Sequence, residues 1–378
     1  MPNNERNILI FTLSFGGGSK IFLDKYIDEN FKDCGVYVLK SERTDANPYD
    51  LSASLILTNY HDPSISWNFR ADFSNLNSFA KSLHITEIFV NHLIYFNFLF
   101  IANWILTSKL PFTLMFHNYY CVCANEHFQY CESKFCELSE IHPVCRKKLK
   151  NFHLEDWRKC WSTLLRAAKK IIAPSSYTAQ IIKNIYPNLN IEVRPHKISL
   201  PIERTFKPNF AAREKLRITF LGQLYEHKGE WYLLKLNEIV RREKLPIEFV
   251  VLGEYKDDIR AGTREGIILA GKYNAPDVSK KLAEYETAIV ATLSKVPETY
   301  CYTASEAMLS GYPVMAMNVG AHALRVAKNK CGWIFPIEAA NHGLDNLINF
   351  CRLIVTPAGR NEILIRAANT ANFKNGTE

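Results

Sequence analysis

The 378-residue sequence predicts an α/β protein of two doubly wound domains. The chain is too long for one compact core, and short apolar runs alternate with helix-period segments, which indicates parallel sheets covered on both faces. This alternation restarts at LRITFLG, residues 216–222, after an extended, proline-containing connector at 191–208. We therefore expect an N-terminal domain over 1–204 and a C-terminal domain over 205–355. The segment 356–378 is expected to form a helix that crosses back to the first domain.

The predicted elements follow from these runs in chain order. In the first half, strands are expected near 7–13, 35–40, 54–59, 87–92, 112–117 and 169–173. Helices are expected there near 18–30, 75–83, 95–108, 154–168 and 176–185. In the second half, strands are expected near 216–222, 247–253, 266–271, 287–293 and 313–318. Helices are expected there near 229–243, 276–284, 303–310 and 357–373.

Composition and charge narrow the class of protein. Hydrophobic residues at 47% and charged residues at 22% are ordinary for a soluble globular chain. The net charge of +8 suits phosphorylated ligands or an anionic membrane surface. Basic runs are short, as at 146–150 and 241–243, so nucleic acid is not an expected partner. No signal peptide is visible, which predicts a cytoplasmic protein.

One apolar stretch, IFVNHLIYFNFLFIANWIL at 88–106, is long enough to be compared with a membrane span. Asn91, His92, Asn97 and Asn103 interrupt it. We therefore expect a buried strand followed by a buried helix. The alternative is a face that contacts the inner surface of the cytoplasmic membrane.

Half of the ten cysteines lie between residues 121 and 145. Without a secretory signal they are expected as free or metal-bound thiols. Structural zinc needs four such ligands, which this segment can supply as Cys123, Cys131, Cys136 and Cys145. Their spacing lacks paired CxxC motifs, so reduced thiols are favoured and zinc is the alternative. The Asp257–Asp258 pair is interpreted as surface charge.

Ligands of open α/β sheets bind at the carboxyl ends of strands, where helices begin. SFGGGSK at 14–20 follows the first strand, and Gly17 and Gly18 allow close approach of a ligand to the backbone. A simple tight turn is an equally good interpretation. In FLGQLYEHKGEWYLL, Lys228 lies at a strand–helix junction, where it can neutralise a diphosphate. An idle surface lysine is the alternative.

A third strand end is PETYCYTASEAMLSGYPVMA at 297–316. The residues after Glu298 are β-branched and aromatic and start a helix poorly. Glu298 is therefore expected in a loop. Glu306 is expected in the first turns of a helix over about 303–310 that stops at Gly311.

The second half resembles the nucleotide-sugar-binding domain of family 4 type glycosyltransferases, which have the GT-B fold. The resemblance lies in FLGQL…KG, in the Glu-x7-Glu of PETYCYTASEAMLSGYPV, and in NVGAHALRV, in that order. In the first half, GGGSKIFLDKYI, VNHL, FHNYYCVC and APSSYTAQII are similar to N-domain segments of the same group. Bacterial polysaccharide enzymes, including rhamnosyltransferases, are particularly similar, with a cysteine-containing insertion that here covers about 118–150. The resemblance implies two Rossmann-like domains facing across a cleft.

The resemblance also implies roles for individual residues. Glu306 would accept hydrogen bonds from the ribose or deoxyribose hydroxyls of the donor, and Glu298 would face the donor sugar in catalysis. His117 would act beside that sugar, although a structural histidine is the alternative. The further donor-binding positions that it implies are Gly17, Gly18, Gln223, Lys228, Thr299, Tyr300, Tyr302 and Thr303.

Two residues depart from the family pattern. Gln223 stands where the family often has Arg, and Asn118 follows His117 where it often has Asp. Both leave the mechanism open, including whether transfer retains or inverts the anomeric centre. Three other cations are candidates for the missing positive charge but are interpreted as surface residues: Arg194, Lys197 and Lys295.

The expected function is transfer of a sugar from a nucleotide-diphosphate donor to a growing, lipid-linked bacterial polysaccharide such as O-antigen. Rhamnose from dTDP-rhamnose is the first expectation, and UDP-hexose or UDP-N-acetylhexosamine is the alternative. No cofactor beyond the donor is expected. The sequence is also compatible with a nucleotide-sugar-binding module without catalysis and with a domain of a larger polymerase.

Overall fold

The computed structural model of the chain describes twelve segments, and every structural statement below concerns these residues. They are 6–13, 17–42, 54–70, 72–124, 129–130, 134–135, 153–198, 202–207, 215–255, 262–264, 266–337 and 343–378. The chain divides into two compact units between Arg194 and Pro195, with one short strand pair of the first half grouped with the second unit. The boundary predicted at 204/205 lies within the second unit.

The first unit is built on an eight-stranded sheet with the order β10-β9-β6-β5-β1-β2-β3-β4. Its strands are β1 Asn7–Thr12, β2 Gly35–Ser41, β3 Ser54–Asn59, β4 Ser66–Arg70, β5 Glu87–Val90, β6 Phe112–Met115, β9 Lys170–Ala173 and β10 Glu192–Val193. The separate pair is β7 Gln129–Tyr130 and β8 Lys134–Phe135. The helices are α1 Gly18–Asn30, α2 Phe73–Ser82, α3 Phe98–Ser108, α4 Leu154–Ala167 and α5 Ser176–Ile185.

The expectation of an entirely parallel sheet is wrong at one edge of this unit. β3 runs antiparallel to β2, and β4 runs antiparallel to β3. The link between β3 and β4 is a tight turn in which the Asn59 side chain accepts hydrogen bonds from the backbone of His61 and Asp62. Such a link is too short for a crossover helix, so the two strands must be antiparallel.

The apolar stretch at 88–106 forms the buried strand β5 and the buried helix α3, as predicted. The polar residues that interrupt it have local structural roles. Asn97 caps α3 by accepting a hydrogen bond from Phe100 N at 2.9 Å. Asn91 donates to Thr12 Oγ1 at 2.9 Å. None of the helices among the described residues is long and apolar enough to cross a bilayer.

The second unit is built on a seven-stranded sheet with the order β13-β14-β12-β11-β15-β16-β17. Its strands are β11 Leu216–Leu221, β12 Ile247–Leu252, β13 Gly262–Arg264, β14 Ile267–Gly271, β15 Ile289–Thr292, β16 Val314–Met317 and β17 Gly332–Phe335. Its helices are α6 Glu230–Arg242, α7 Val278–Glu284, α8 Tyr302–Leu309, α9 Ala321–Asn329, α10 Leu344–Ile354 and α11 Pro357–Asn369. All neighbouring strands are parallel except β13, which is antiparallel to β14.

Both faces of this second sheet are covered, because successive side chains of its central strands point to opposite faces. Phe249 and Val251 of β12 belong to one apolar cluster, together with Leu233 of α6. Val250 and Leu252 belong to the other, together with residues of α7 and α8. The central strands are therefore buried on both sides, and polar side chains gather where those strands end.

The last helix, α11, packs against α10 and β17 within the second unit. Its residues Ile363 and Ala367 are buried there. The predicted crossing of the C-terminal segment to the first domain stays a prediction.

Candidate functional site

Three adjacent parallel strands of the second unit, β11, β15 and β16, end at the same edge of the sheet. β11 is followed by Gly222 and by a single 3₁₀ turn that ends at Lys228. Gly229 follows with a φ of 101°, and a Cβ there would lie 2.6 Å from the backbone oxygen of Leu293. Only glycine fits this close approach, which places the Lys228 turn directly beside the chain that leaves β15.

Lys228 and Glu298 form an ion pair at this edge, with the Lys228 ammonium donating to Glu298 Oε1. Burial disfavours the carboxylate of Glu298, but the charge of Lys228, helped by His322, outweighs burial and lowers the pKa of Glu298 to about 2. Burial likewise opposes the ammonium of Lys228, while Glu298 raises its pKa above the usual value. The pair is therefore fully ionised near neutral pH.

The loop that carries Glu298 is held from the third strand end. Ala321, the first residue of α9, donates its backbone N–H to Glu298 O at 2.8 Å. Gly320 has a φ of 85°, and a Cβ at this position would lie 2.5 Å from Glu298 N. His322 is fully buried, and its Nε2 lies 3.1 Å from Thr292 O. The first turn of α9 thus fixes both ends of the chain between β15 and Glu298.

Glu306 lies on α8, as predicted, and this helix ends just before Gly311, whose φ is 93°. The side chain of Glu306 is buried and accepts a hydrogen bond from the hydroxyl of Tyr273 at 3.0 Å. Burial raises the pKa of Glu306 to about 7, although the Tyr273 hydrogen bond favours the carboxylate. Glu306 is therefore poised to change charge near neutral pH.

Between the two acids, the chain turns sharply before α8 begins. Cys301 occupies the left-handed region, with a φ of 68°, and precedes the first helical residue without any side-chain cap. Tyr300 is buried, and its hydroxyl donates to the backbone oxygen of His196. Helix α8 therefore begins without a side-chain cap, and N–H groups at a helix N-terminus are donors that an anion can accept.

The predicted diphosphate contact Gln223 is exposed and has a different partner in this structure. Its amide donates to Glu254 Oε2 at 3.2 Å, and Lys272 pairs with the same oxygen at 3.2 Å. Of the three substitute cations, Lys295 is not a surface residue: it is 4% exposed, with its ammonium 4.5 Å from the centre of the Trp231 ring. The aromatic face compensates for the lost hydration of the ammonium. Lys197 is exposed and Arg194 is half-buried.

In the first unit, a polar cluster lies where β5 and β6 end. His117 Nε2 lies 2.7 Å from Asn91 Oδ1, and Asn91 in turn donates to Thr12 Oγ1. Asn118 Nδ2 lies 3.1 Å from Nε2 of His92. One small pocket is lined by Asn91, His92, His117 and Asn118, together with Tyr120 and Cys121. His117 is thus held in a defined orientation by a buried amide.

Gly17 and Gly18 begin α1, with Gly17 in a positive-φ conformation at 93°. Residues 14–16 of the same motif lie outside the described residues, as do Cys131, Cys136, Cys145 and Asp257–Asp258. Cys123 is buried and is one of seven free cysteines in the described part of the chain. The described residues contain no cluster of metal ligands.

Sequence reasoning missed four polar residues near this edge: His196, His322 and Arg325, which are buried, and Tyr273, which is half-buried. Tyr273 is the second residue after β14, so the strand-end rule could have found it. His322 and Arg325 lie within NVGAHALRV, where a polar residue on an amphipathic helix is expected to face solvent. Both are instead buried.

A comparison with protein-family models finds a match to the part of the chain that contains the ends of β11, β15 and β16. Residues 215–351 match the family described as Glycosyl transferases group 1. The chain thus carries a transferase domain, as predicted. The matched region contains Lys228, Glu298 and Glu306.

Among curated proteins, an uncharacterized glycosyltransferase (MJ1607) of Methanocaldococcus jannaschii is 27% identical over 168 residues. The match covers 41% of this chain and 41% of that protein. This chain therefore aligns with less than half of the length of that relative.

Solved structures show the same architecture over nearly the whole chain. Sucrose-phosphate synthase from Thermosynechococcus elongatus aligns with a TM-score of 0.60 and 14% identity over 98% of this chain and 95% of that one. Anabaena HepE in complex with UDP aligns with a TM-score of 0.59 and 15% identity over 97% of this chain and 94% of that one. These neighbours are GT-B glycosyltransferases, so the predicted GT-B fold of two Rossmann-like units is confirmed.

Proposed function

We propose that the protein is a glycosyltransferase that takes a sugar from a nucleoside diphosphate donor bound by its second unit. The observation that carries this proposal is the edge formed by β11, β15 and β16. There an ionised Lys228–Glu298 pair lies beside the start of α8, which also carries the buried carboxylate of Glu306. This edge lies inside the region that matches glycosyl transferases group 1.

Each group has a distinct task in this proposal. The carboxylate of Glu306 accepts hydrogen bonds from ribose or deoxyribose hydroxyls, which are neutral donors that a half-titrated acid can bind. The diphosphate lies against the N–H groups of Thr299, Tyr300, Tyr302 and Thr303 at the start of α8, where the helix dipole is positive. Lys228 has two further N–H donors besides the one given to Glu298, so it can bind the diphosphate as well.

Transfer breaks the bond between the anomeric carbon and the donor phosphate oxygen, and a bond forms to the acceptor oxygen. Negative charge grows on the departing diphosphate, and Lys228 together with the helix N-terminus stabilises it. Glu298 faces the sugar, where its carboxylate stabilises positive charge at the ring. The acceptor hydroxyl loses its proton, and His117 of the first unit is the proposed base.

The proposed donor sugar is rhamnose, from dTDP-rhamnose, because the FHNYYCVC segment resembles rhamnosyltransferases. UDP-hexoses and UDP-N-acetylhexosamines are the second candidates, and they are favoured by the UDP bound to the Anabaena neighbour. The proposed acceptor is a growing, lipid-linked polysaccharide at the inner face of the membrane. The net charge of +8 suits such an anionic surface.

The test is a panel of dTDP-rhamnose and UDP-sugars with a synthetic lipid-linked acceptor, with products read by mass spectrometry. We expect one donor to be used, with transfer abolished by Glu298→Ala and by His117→Ala. Glu248→Gln is the matched control, because Glu248 also pairs with cations, Lys215 and Arg217, but its partners lie in and before the first half of β11. Full transfer by Glu298→Ala would contradict the role of that acid.

A binding module without catalysis is the second candidate, and Gln223 and Asn118 are the departures that favour it. It predicts tight binding of a nucleotide sugar, measured by calorimetry, without transfer to any acceptor. Unchanged nucleotide affinity in Glu306→Ala would contradict both candidates, because both place the nucleoside at Glu306.

A further inference from the structure

Arg325 is a buried cation close to the start of α8. It lies in the middle of α9 and is 1% exposed. Its guanidinium donates to Ser305 Oγ at 2.9 Å, to the backbone oxygen of Tyr300, and to Cys301 O at 3.1 Å. It also lies 4.0 Å from the centre of the Tyr300 ring. All of these contacts are to the turn between Glu298 and Glu306 or to α8 itself.

None of these partners carries a negative charge. Among the described residues, Arg325 forms no ion pair, and its Nε has no hydrogen-bond partner. Removing an ionised group from water without a counter-ion is costly, so buried charges are normally paired. An anion bound near this guanidinium would supply the missing counter-charge.

Two of the other cations near this edge are already paired with acids, and the ammonium of Lys295 lies over the Trp231 ring. Lys228 is paired with Glu298, and Lys272 is paired with Glu254. The charge of Arg325 instead lowers the pKa of neighbouring histidines. Burial, and then the charge of Arg325, lower the pKa of His196 to about 3. Arg325 therefore contributes a buried positive charge without an acidic partner at this edge of the described structure.

The contacts of Arg325 also determine which way the backbone of the turn faces. In a trans peptide the C=O of one residue and the N–H of the next point in opposite directions. Arg325 holds the C=O groups of Tyr300 and Cys301 towards itself. The N–H groups of Cys301 and Tyr302 consequently point away from Arg325, on the other side of the turn.

We propose that Arg325 is the positioning residue for the donor diphosphate: it orients the N–H groups of the turn towards the ligand and supplies the unbalanced charge behind them. This inference rests on the proposed function, since it assumes a nucleoside diphosphate at the start of α8. In this role Arg325 replaces the cation that Gln223 lacks, but it acts through the backbone and does not touch the ligand.

The test compares Arg325→Gln, which keeps a hydrogen-bond donor without the charge, with Arg325→Lys, whose ammonium keeps the charge and can still donate to both carbonyl oxygens of the turn. Arg217→Gln is the matched control, because Arg217 is a partly buried arginine of the same unit whose guanidinium is held by two acids, Glu248 and Glu286. Binding of UDP, inorganic pyrophosphate and uridine is measured by calorimetry on the full chain. Circular dichroism and thermal unfolding show whether each variant is folded.

We expect Arg325→Gln to weaken UDP and pyrophosphate about ten- to thirtyfold, the effect of one charge acting over roughly 8–10 Å at an effective dielectric constant of about 20. Uridine binding should change less than about threefold, since uridine has no phosphate. Arg325→Lys and Arg217→Gln should stay within about threefold of the unchanged protein for all three ligands.

Equal weakening by Arg325→Gln and Arg325→Lys would overturn the proposal, because the residue would then act only as a structural fork. If Arg325→Gln left the UDP affinity unchanged while Glu306→Ala weakened it, this inference would be overturned and the proposed function would stay intact. If the unchanged protein binds neither UDP nor pyrophosphate, the same titration is run with dTDP, and failure to bind that as well means that the proposed function and this inference both fail. If Arg325→Gln does not fold, Arg325→Lys decides: a loss above about tenfold contradicts the charge role.

Discussion

Replacing Glu306 by Gln tests the burial of this carboxyl group through the pH dependence of stability. The folded protein holds the proton of Glu306 up to a pH of about 7, whereas an unfolded chain releases it near 4.5. Between these two values the folded state binds more protons than the unfolded state, so stability falls as pH rises. Above a pH of about 7 the full penalty is present, about 3 kcal/mol from the size of the shift.

In Glu306→Gln the side chain is neutral at every pH, and its amide oxygen can still accept the hydrogen bond from Tyr273. We therefore expect the variant to gain up to about 3 kcal/mol over the unchanged protein at pH 8 and to match it near pH 4.5. Urea unfolding at both pH values measures this, with tryptophan fluorescence reporting on Trp231 and Trp333 of the second unit.

Glu248→Gln is the control of opposite sign. Burial raises the pKa of Glu248, but Arg217 and Lys215 together lower it below the usual value. Its contribution is therefore present above the usual glutamate pKa and is lost as the pH falls through the lowered one, so this variant should lose stability at pH 8. If Glu306→Gln kept the pH dependence of the unchanged protein, Glu306 would not be the buried acid that we describe.

Glu306→Gln also tests the contribution of the Glu306 carboxylate to donor affinity. The ionised carboxylate is the stronger acceptor for ribose hydroxyls, so the affinity for UDP-glucose should rise with pH through about 7. UDP-glucose is the suitable probe because it lacks the terminal phosphate group that titrates near pH 6. In Glu306→Gln the affinity at pH 8 should fall about ten- to a hundredfold and no longer depend on pH.

Three further predictions concern other parts of the chain. Lys228→Met should lose about 1–3 kcal/mol at pH 7, less than a fully buried pair because the Lys228 side chain is 37% exposed. The stabilising effect of ionised Glu298, which is complete above pH 4.5 and lost towards pH 2, should then disappear in acid-unfolding curves of this variant. Gly320→Ala should lose more than about 2 kcal/mol of stability, because a Cβ there would meet Glu298 N. Gly17→Ala, at a similar φ but with open space around it, should lose only about 1 kcal/mol. Thermal unfolding of the two variants measures the difference. Elemental analysis should find less than about a tenth of an equivalent of zinc, since the cysteine spacing lacks paired motifs; a full equivalent would contradict this.

The strand ends of the second unit were accessible from the sequence because each signal is local. A buried strand is a short apolar run, and the residues that follow it are named by position alone. Glu306 on a helix that stops at Gly311, and Glu298 in the loop before it, follow from such local rules. The roles of these residues in binding and catalysis stay predictions until the variants are measured.

Features that depend on long-range packing were not accessible in this way. The strand Ser66–Arg70 alternates between exposed and half-buried residues, so no apolar run marks it. The burial of Arg325 depends on the turn at Tyr300, 25 residues away along the chain, which accepts its hydrogen bonds. Sequence patterns predict that an arginine in an amphipathic helix faces solvent, and only the fold shows otherwise.

The connector that enters the second unit is tied to the end of the chain. Asn375 exchanges two hydrogen bonds with the backbone of Ile198, at 2.8 and 2.7 Å, and Arg204 donates to Thr370 at 2.7 Å. These hydrogen bonds join two segments that lie far apart in the sequence, the connector and the C-terminal segment. A recombinant second unit that begins after Arg204, or stops before Thr370, would lack one of these two segments and leave polar groups of the other without their partners. Any transfer of this unit into another protein therefore has to include both segments.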